Sequence, residues 1–390
     1  MIPYGLHEID DADIEAVVST LRSDFLTQGP VVGAFESALR ERFGCDHVVL
    51  FNSASSALHA ICIAEQLDHN DEVWTSSISY VASANCAALT GAKIRFIDIE
   101  LDTGLISLAA LHESLSEACR LGSLPKFLIP VHLAGHPCQM SELQDLSQQY
   151  GFKIVEDASH ATGSVYQGSP VGSCKYSYAA VFSFHPVKIV TSGEGGAVAT
   201  NDQLLAKRLR MIRENGVTKD KSEFVKEATS PWHYEQQLLG HNYKMTDIHA
   251  SLGLSQLKRL DSILKKRNRI ASRYLECLGG CSHINLVNHR ADSTSSFHLM
   301  VAQFPRLSRE QHISLFRSLH SSSINVQLHY QPIHLQPFYE KYAERPYVSL
   351  QNSETYAQTS LSLPLYTQLE LDTVSQICDK VARLSLESTS

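Results

Sequence analysis

The chain has 390 residues, 43% hydrophobic and 19% charged, which is the composition of a folded globular protein and excludes a disordered one. Its formal net charge of −8 argues against nucleic acid as a main partner. No apolar run approaches the ~20 residues of a membrane helix. The N-terminus is acidic and lacks an apolar signal core, so we expect a cytoplasmic protein with no membrane partner.

Nine cysteines and nineteen histidines raise the question of a metal site. The closest cysteine pair, Cys277 and Cys281, has no second pair that would complete a zinc site. The histidines form no HExxH or similar ligand pattern. We therefore expect no metal.

The first predicted elements are two helices, a strand and a third helix. The first helix is capped by Asp10 or Asp11, and its apolar face is formed by Ile14, Val17, Val18 and Leu21. The second helix, 32–43, stops at Gly44, and a short buried strand, 48–51, follows. The small residues 52–57 then open a helix whose free N–H groups can bind phosphate, although ordinary capping by Ser53 or Ser55 explains them too.

Strands and helices alternate from residue 72 onward. The predicted strands are 72–75, 94–97, 127–131, 153–155 and 177–184, and the predicted helices are 80–89, 108–119 and 140–150. This alternation favours a mainly parallel sheet with helices on both faces, where ligands bind beyond the carboxyl ends of the strands. The candidate residues Ser55, Tyr80, His132, Asp157 and Lys188 each follow a predicted strand.

The second half of the chain is more helical. We predict helices at 204–212, 309–319 and 371–384, strands at 297–304 and 324–330, and a long helical stretch at 247–277 that is bent or broken. The predicted domains are a large α/β domain, 1–250, and a smaller C-terminal α+β domain, 251–390.

A lysine and a glycine-rich turn follow the strand in the sequence VFSFHPVKIVTSGEGG, 181–196. Pro186 cannot donate to a ladder, so Lys188 should sit just past the strand end. Desolvation there lowers the pKa of a lysine and frees its amine to form a Schiff base with an aldehyde. Taken alone, the stretch also fits a surface lysine in a loop or a phosphate cradle for a nucleotide.

An acid lies about thirty residues before that lysine, in VEDASH. Asp157 can hold a proton on a pyridine nitrogen, which makes the ring an electron sink, but a helix cap explains it equally well. His160 can bond a phenolic oxygen or Asp157, and a structural histidine is the ordinary alternative. Tyr80 can stack on an aromatic cofactor, although a core aromatic is the commoner use. Together the phosphate turn, aromatic, acid and lysine match the needs of pyridoxal phosphate.

Long motifs across nearly the whole chain carry a family resemblance. They are PYG, LTQGP, NSASSALHA, YVASAN, PVHLAGHP, VEDASHATGS, FSFHPVK with SGEGG, GHNYKMTDIHASLGLSQL, HYQPIHLQP and LSLPLY. On these motifs the sequence resembles the sugar aminotransferases of the DegT/DnrJ type, which are pyridoxal-phosphate enzymes with the aspartate-aminotransferase-like fold (fold type I). The family pattern implies a large domain with a mainly parallel sheet and a smaller C-terminal domain.

Four segments bring the sequence nearest to the transaminases of pseudaminic acid biosynthesis within this family. They are VWTSSISYVASANCAAL, HPVK, PWHYEQQLLGHNY and LHYQPIHLQPFY. The resemblance implies amination of C4 of a UDP-linked 4-keto-6-deoxy-N-acetylhexosamine, with L-glutamate as amino donor. It also implies a homodimer whose active site is shared between the subunits.

The resemblance assigns roles at the cofactor ring to residues that match family motifs. It implies that Lys188 binds the cofactor aldehyde and moves the proton, and that Asp157 pairs with the pyridine nitrogen. Tyr80 is expected to stack on the ring, and His160 to lie near the ring oxygen.

The resemblance further implies contacts to the phosphate and to the sugar nucleotide. The phosphate contacts are Ala54, Ser55, Ser183 and, from the neighbouring subunit, Asn242. The expected sugar-nucleotide contacts are Thr27, Gln28, Gly29, His329 and Tyr330.

Four residues depart from the family pattern. Lys244 stands where arginine is usual, and the two cations are not interchangeable at a bidentate site. Asn215 stands where histidine is common, Ala134 replaces a bulkier residue, and His136 replaces glutamine or arginine. These departures bear on the substrate and not on the cofactor.

Other functions fit the sequence less well. A sugar dehydratase of the same fold carries histidine in place of the lysine, whereas Lys188 is present here. A non-catalytic binding protein would not need the intact lysine, acid and phosphate turn. A Rossmann-type reductase needs a GxGxxG that opens an early βαβ unit, and none is present. A 4-aminotransferase of the same family for another sugar, or for a dTDP-linked one, is the remaining alternative.

Overall fold

The computed structural model describes residues 1–287 and 290–388. Its α-helices are α1 Asp11–Leu21, α2 Pro30–Phe43, α3 Ala54–Ala64, α4 Ala82–Ala88, α5 Leu108–Leu121, α6 Met140–Tyr150, α7 Gln203–Ile212, α8 Asp247–Lys258, α9 Leu260–Leu278, α10 Arg309–Ser321, α11 Tyr339–Tyr342, α12 Gln351–Thr359 and α13 Leu371–Glu387. Short 3₁₀ turns occupy Leu133–Gly135, Lys221–Glu223 and Ile333–Leu335.

The strands are shorter and fall into several sheets. They are β1 His47–Phe51, β2 Glu72–Ser76, β3 Lys93–Ile97, β4 Phe127–Ile129, β5 Lys153–Asp157, β6 Val165–Tyr166, β7 Ser169–Pro170, β8 Ala179–Ser183, β9 Gly196–Thr200, β10 Val217–Thr218, β11 Glu235–Gln236, β12 Asn285–Leu286, β13 Ser293–Thr294, β14 Met300–Gln303 and β15 Ser360–Leu363.

Seven strands form the central sheet, in the order β1-β9-β8-β5-β4-β2-β3. Strands β8, β5, β4, β2 and β3 are parallel to one another, and β9 runs antiparallel between β1 and β8. The predicted mainly parallel sheet is therefore confirmed. The antiparallel strand β9 was not predicted, although it lies next to the strand that leads to Lys188.

Alternate residues of the sheet bury against two helical layers, as the pleat of a strand requires. Val49 and Val73 pack in the core that includes α3, α4 and α7. Val48 packs with α2 and α8, and Trp74 packs with α5 and α6, on the opposite face. The sheet is thus buried on both faces, as α/β folds require.

The C-terminal part builds a separate apolar core. Strands β12, β14 and β15 form an antiparallel sheet, and α9, α10 and α13 bury their apolar faces in the same cluster. Helix α8 instead packs with α2. The domain boundary at residue 250 stays a prediction, and it falls inside α8.

One expectation is wrong. Residues 324–330 form only single bridges, Ile324 to Ile2 and Gln327 to Ser362, because the segment meets two different neighbours and follows neither. On α1, Ile14 and Leu21 are more than half exposed, whereas Asp13 is fully buried. The carboxylate of Asp13 accepts hydrogen bonds from the side chains of Gln256 and Arg259, so α1 contacts the end of α8 on the side that carries Asp13.

Within residues 1–287 and 290–388, none of the helices combines the length and the apolar character needed to cross a bilayer.

A close backbone contact leads to a test of the fold. A Cβ on Gly196 would lie 2.4 Å from the backbone nitrogen of Ala54 and 2.4 Å from the carbonyl carbon of Ser53. We therefore expect Gly196→Ala to lower the free energy of unfolding by about 1–3 kcal/mol, the usual cost of overpacking, in urea titrations.

The control is Gly33→Ala, because a Cβ there meets no heavy atom within 4 Å. Gly33 lies inside α2, so this exchange should raise the free energy of unfolding by about 0.5–1 kcal/mol. A Gly196→Ala protein as stable as the unsubstituted one would contradict the close contact.

Candidate active site

A cavity of about 460 Å³ opens at the carboxyl edge of the central sheet. Nine of the thirteen predicted site residues line it: Ala54, Ser55, Tyr80, Asp157, His160, Ser183, Lys188, His329 and Tyr330. These residues come together at one edge of the sheet because β5 ends at Asp157, β8 ends at Ser183 and α3 begins three residues after β1. The carboxyl ends of parallel strands share one edge, where such folds bind ligands.

One end of the cavity is built from hydrogen-bond donors. Ser53 caps α3: its hydroxyl accepts from the Ser56 amide at 3.1 Å, and the Ser56 hydroxyl accepts from the Ser53 amide at 3.2 Å. The amides of Ala54 and Ser55, in the first turn, have no intrahelical acceptor. Ser183 Oγ accepts a long bond from the His185 amide and keeps its own hydrogen to donate. These donors, with the positive end of the helix dipole, suit a phosphate group.

Asp157 and Lys188 come from adjacent parallel strands and the loop beyond them. Asp157 is buried, and its carboxylate accepts from the Ser83 hydroxyl at 2.6 Å and from the Ser159 amide at 3.1 Å. Burial lowers the pKa of Lys188 to about 8, and the charge of Asp157 opposes part of this shift. The lysine can therefore supply a neutral amine far more readily than an exposed lysine does.

The imidazole of His160 is held in one tautomer by its two neighbours. Its Nδ1 accepts from the Ala134 amide at 3.3 Å, so the hydrogen is assigned to Nε2, which lies 3.1 Å from the Tyr330 hydroxyl. Burial, reinforced by the charges of Lys188 and His329, holds the pKa of His160 well below its ordinary value. His160 is therefore neutral and donates to Tyr330, whose own hydroxyl hydrogen stays free for a ligand in the cavity.

Two further predicted residues complete the wall. His329 Nδ1 lies 2.9 Å from the Ser362 hydroxyl, and burial lowers the pKa of His329 to about 4. The Tyr80 ring is 61% exposed and lies 6.1 Å, centroid to centroid, from the Tyr330 ring. Tyr80 thus stands on the open side of the cavity, with an uncovered ring face.

Four predicted residues lie outside the cavity: Thr27, Gln28, Gly29 and Asn242. Thr27 pairs with Thr246, and the amide of Gly29 donates to the buried carboxylate of Asp247 at 2.8 Å. The carbonyl of Asn242 accepts from Asn52 at 3.4 Å. These four residues therefore occupy one surface region beside the phosphate-binding turn.

Several cavity residues were missed by the sequence reasoning. Tyr4, Ser79, Glu194 and His298 also line the cavity. Glu194 stands in the SGEGG turn, where the glycines carry the only signal that the sequence gives, and Ser79 directly precedes Tyr80. Tyr4, in the PYG segment, and His298 come from distant parts of the chain, and no pattern in the sequence gives either of them a role in the site.

The donor set fits pyridoxal phosphate. The first turn of α3 and Ser183 suit the phosphate, buried Asp157 suits the pyridine nitrogen, and Lys188 suits the aldehyde. Within residues 1–287 and 290–388, no three His, Cys, Asp or Glu side chains group as metal ligands.

Comparison with known proteins agrees with this fit. The sequence profile of the DegT/DnrJ/EryC1/StrS aminotransferase family matches residues 7–382. The chain is 33% identical to the UDP-4-amino-4,6-dideoxy-N-acetyl-beta-L-altrosamine transaminase of Campylobacter jejuni (strain 81-176), across 98% of this chain and 99% of that protein.

Solved structures of similar proteins share the fold. Helicobacter pylori PseC, an aminotransferase involved in the biosynthesis of pseudoaminic acid, matches with a TM-score of 0.88 and 30% identity, over 99% of both chains. Streptococcus pneumoniae Spr1654 matches in its PLP and PMP forms with TM-scores of 0.88 and 0.89 and 28% identity, over the whole of both chains.

The lowered pKa of Lys188 has a kinetic consequence. Only the neutral amine attacks an aldehyde, so capture of pyridoxal phosphate by the apoprotein should quicken with pH and reach half its maximal rate near pH 8. Stopped-flow absorbance at fixed cofactor concentration measures this rate. A free lysine derivative, whose side-chain pKa is about 10.4, is the control. A midpoint for the protein close to that of the control would contradict the burial of the amine.

Proposed function

The chain belongs to the DegT/DnrJ/EryC1/StrS aminotransferase family and is a pyridoxal-phosphate-dependent sugar aminotransferase, and we propose that it aminates C4 of a UDP-linked 4-keto-6-deoxy-N-acetylhexosamine. The proposed activity is that of a UDP-4-amino-4,6-dideoxy-N-acetyl-β-L-altrosamine transaminase of pseudaminic acid biosynthesis, with L-glutamate as amino donor. The assignment of the substrate rests on the 33% identity to the Campylobacter jejuni transaminase over almost the full length of both chains.

The proposed mechanism uses one lysine for both half-reactions. When bound, pyridoxal phosphate supplies an electron sink for negative charge at the amine-bearing carbon. Lys188 takes the proton from that carbon of glutamate and, in the second half, returns a proton to C4 of the sugar. Asp157 holds a proton on the pyridine nitrogen, and the first turn of α3 with Ser183 binds the phosphate. The net reaction converts glutamate and the keto sugar into 2-oxoglutarate and the amino sugar.

The substrate side of the cavity is assigned to His329 and Tyr330. Tyr330 receives its hydrogen bond from His160, so its hydroxyl can donate to an oxygen of the sugar. His329 is neutral at pH 7, since its pKa is about 4, and it can bond a sugar hydroxyl without attracting an anion. These two roles rest on the proposed substrate.

A homodimer with shared sites forms part of the proposal. Exposed apolar side chains lie near Thr27 and Asn242 along the chain: Phe25, Leu26, Trp232, Tyr234 and Leu239 are each at least 47% exposed. Apolar surface of this kind marks protein interfaces, and a second copy of the chain is the partner that the family implies. Asn242 would then serve the cavity of the neighbouring subunit. The cytoplasmic location stays a prediction.

The alternative is a 4-aminotransferase of the same family for a different sugar or a dTDP-linked one. Lys244, Asn215, Ala134 and His136 support this alternative, because their side chains differ in charge or size from those usual at these positions in the family motifs. Asn215 adopts a φ of 62°, a conformation that asparagine tolerates better than most residues.

The substrate is tested by visible absorption. Glutamate should convert the cofactor-loaded protein to its aminated form, and a UDP-linked 4-keto-6-deoxy-N-acetylhexosamine should reverse the spectral change. We expect the dTDP-linked 4-keto-6-deoxyglucose to act at least about tenfold more slowly, a difference of about 1.4 kcal/mol in activation free energy. Faster reversal by the dTDP sugar would sink the UDP assignment while leaving the aminotransferase intact.

The lysine is tested by Lys188→Ala. This variant should fold as the unsubstituted protein does, by circular dichroism, and lose turnover by at least about 10³-fold, because both the cofactor attachment and the proton carrier are gone. Lys258→Ala, at an exposed position at the end of α8, is the control and should keep full activity. Substantial turnover by Lys188→Ala would overturn the mechanism.

The shared site is tested by complementation. Lys188→Ala and Asn242→Asp chains are co-expressed with different tags, and each variant alone should be inactive. A mixed dimer keeps one intact site if Asn242 serves the neighbouring subunit, so random pairing restores about a quarter of the activity. If Asn242 serves its own chain, both sites of the mixed dimer stay defective and no activity returns.

A further inference from the structure

Two buried serines stand behind the acid that faces the pyridine nitrogen. Ser83 and Ser79 are 0% and 2% exposed, and Asp157 is 6% exposed. Ser83 Oγ lies 2.6 Å from Asp157 Oδ2 and 2.7 Å from Ser79 Oγ. The three side chains thus form a continuous polar chain inside the protein, where an unpaired polar group is costly.

The direction of these hydrogen bonds follows from counting hydrogens. The Ser83 hydroxyl has one hydrogen and two acceptors that carry none: the Asp157 carboxylate at 2.6 Å and the Tyr80 carbonyl at 3.3 Å. The shorter distance and the negative charge assign that hydrogen to Asp157. Ser79 must then donate to Ser83, so both hydroxyls point along one direction that ends at the carboxylate.

The second oxygen of the carboxylate is fixed independently. The Ser159 amide donates to Asp157 Oδ1 at 3.1 Å. With one donor on each oxygen, the plane of the carboxylate is set, and rotation about its side chain would break both bonds. The remaining lone pairs of the carboxylate stay available to the cavity that Asp157 lines.

The same turn also connects the acid to the aromatic residue. The Ser83 amide donates to the Tyr80 carbonyl at 3.2 Å, in the turn that leads into α4. The position of Tyr80 is therefore tied to the residue that holds Asp157. One local turn of the chain therefore positions both the acid that would pair with the cofactor ring nitrogen and the residue whose ring is expected to stack on the cofactor.

We propose that Ser83, supported by Ser79, is a positioning residue for the cofactor: it fixes the Asp157 carboxylate in the orientation that holds the proton on the pyridine nitrogen. Ser83 does not line the cavity, and the proposal does not depend on which sugar is aminated. It rests on the cofactor alone, so its failure and the failure of the proposed substrate give different results.

The test is cofactor binding by purified apoprotein variants. We expect Ser83→Ala to raise the dissociation constant of pyridoxal phosphate, measured by absorbance titration, by about tenfold, the usual effect of losing a hydrogen bond to a charged group. Ser79→Ala, which leaves the direct contact in place, should raise it by about threefold. The matched control is Ser76→Ala, because Ser76 is also buried but its hydroxyl has no partner within the described chain, and it should leave the constant unchanged.

A second readout separates positioning from damage to the fold. With ¹⁵N-labelled pyridoxal phosphate, the pyridine nitrogen resonance of Ser83→Ala should move toward the unprotonated position, and that of Ser76→Ala should not. An unchanged resonance and an unchanged dissociation constant in Ser83→Ala would overturn the proposal. If Ser83→Ala does not fold, Ser79→Ala decides: a shifted resonance supports the proposal, and an unshifted one refutes it.

Discussion

The site depends on the close contact between strand β9 and the first turn of α3. Because β9 runs antiparallel between β1 and β8, the chain must reverse within the few residues that follow Lys188. After this reversal, the backbone at Gly196 packs so closely against Ala54 that no side chain fits at position 196. The turn that carries the lysine and the helix that offers its amides to a phosphate are thereby held at a fixed separation.

Much of this arrangement can be predicted from the sequence, since it follows from local patterns. Alternating apolar strands and helices predict a parallel sheet, and a parallel sheet brings the residues after its strands to one edge. Asp157 and Lys188 follow predicted strands and line the cavity, whereas Ser183, which also lines it, is implied by the family resemblance alone. The helical stretch 247–277 is predicted to be bent or broken without a position for the break, and the structure breaks it at Arg259, between α8 and α9.

The remaining features depend on contacts between distant parts of the chain, which no local pattern records. Tyr4 reaches the cavity because its carbonyl accepts from the Leu365 amide, more than three hundred residues away. Residues 324–330 have the composition of a strand, but their neighbours are Ile2 at one end and β15 further along. The burial of Asp13 on α1 depends on distant residues in the same way, since its partners Gln256 and Arg259 lie at the far end of α8. The sequence does not single out Ser83, because small residues are common at the start of a helix.

The two tryptophans of the chain lie in contrasting surroundings. Trp74 is completely buried in β2, where its indole N–H donates to Glu72 at 2.8 Å, whereas Trp232 is 81% exposed in the segment between β10 and α8. Their intrinsic fluorescence therefore carries two separable signals. Emission from Trp74 follows the integrity of the sheet, while the wavelength and quenching of Trp232 emission follow whatever covers that segment. A Trp74→Phe protein would thus carry a native optical probe for the proposed subunit association, with no label attached.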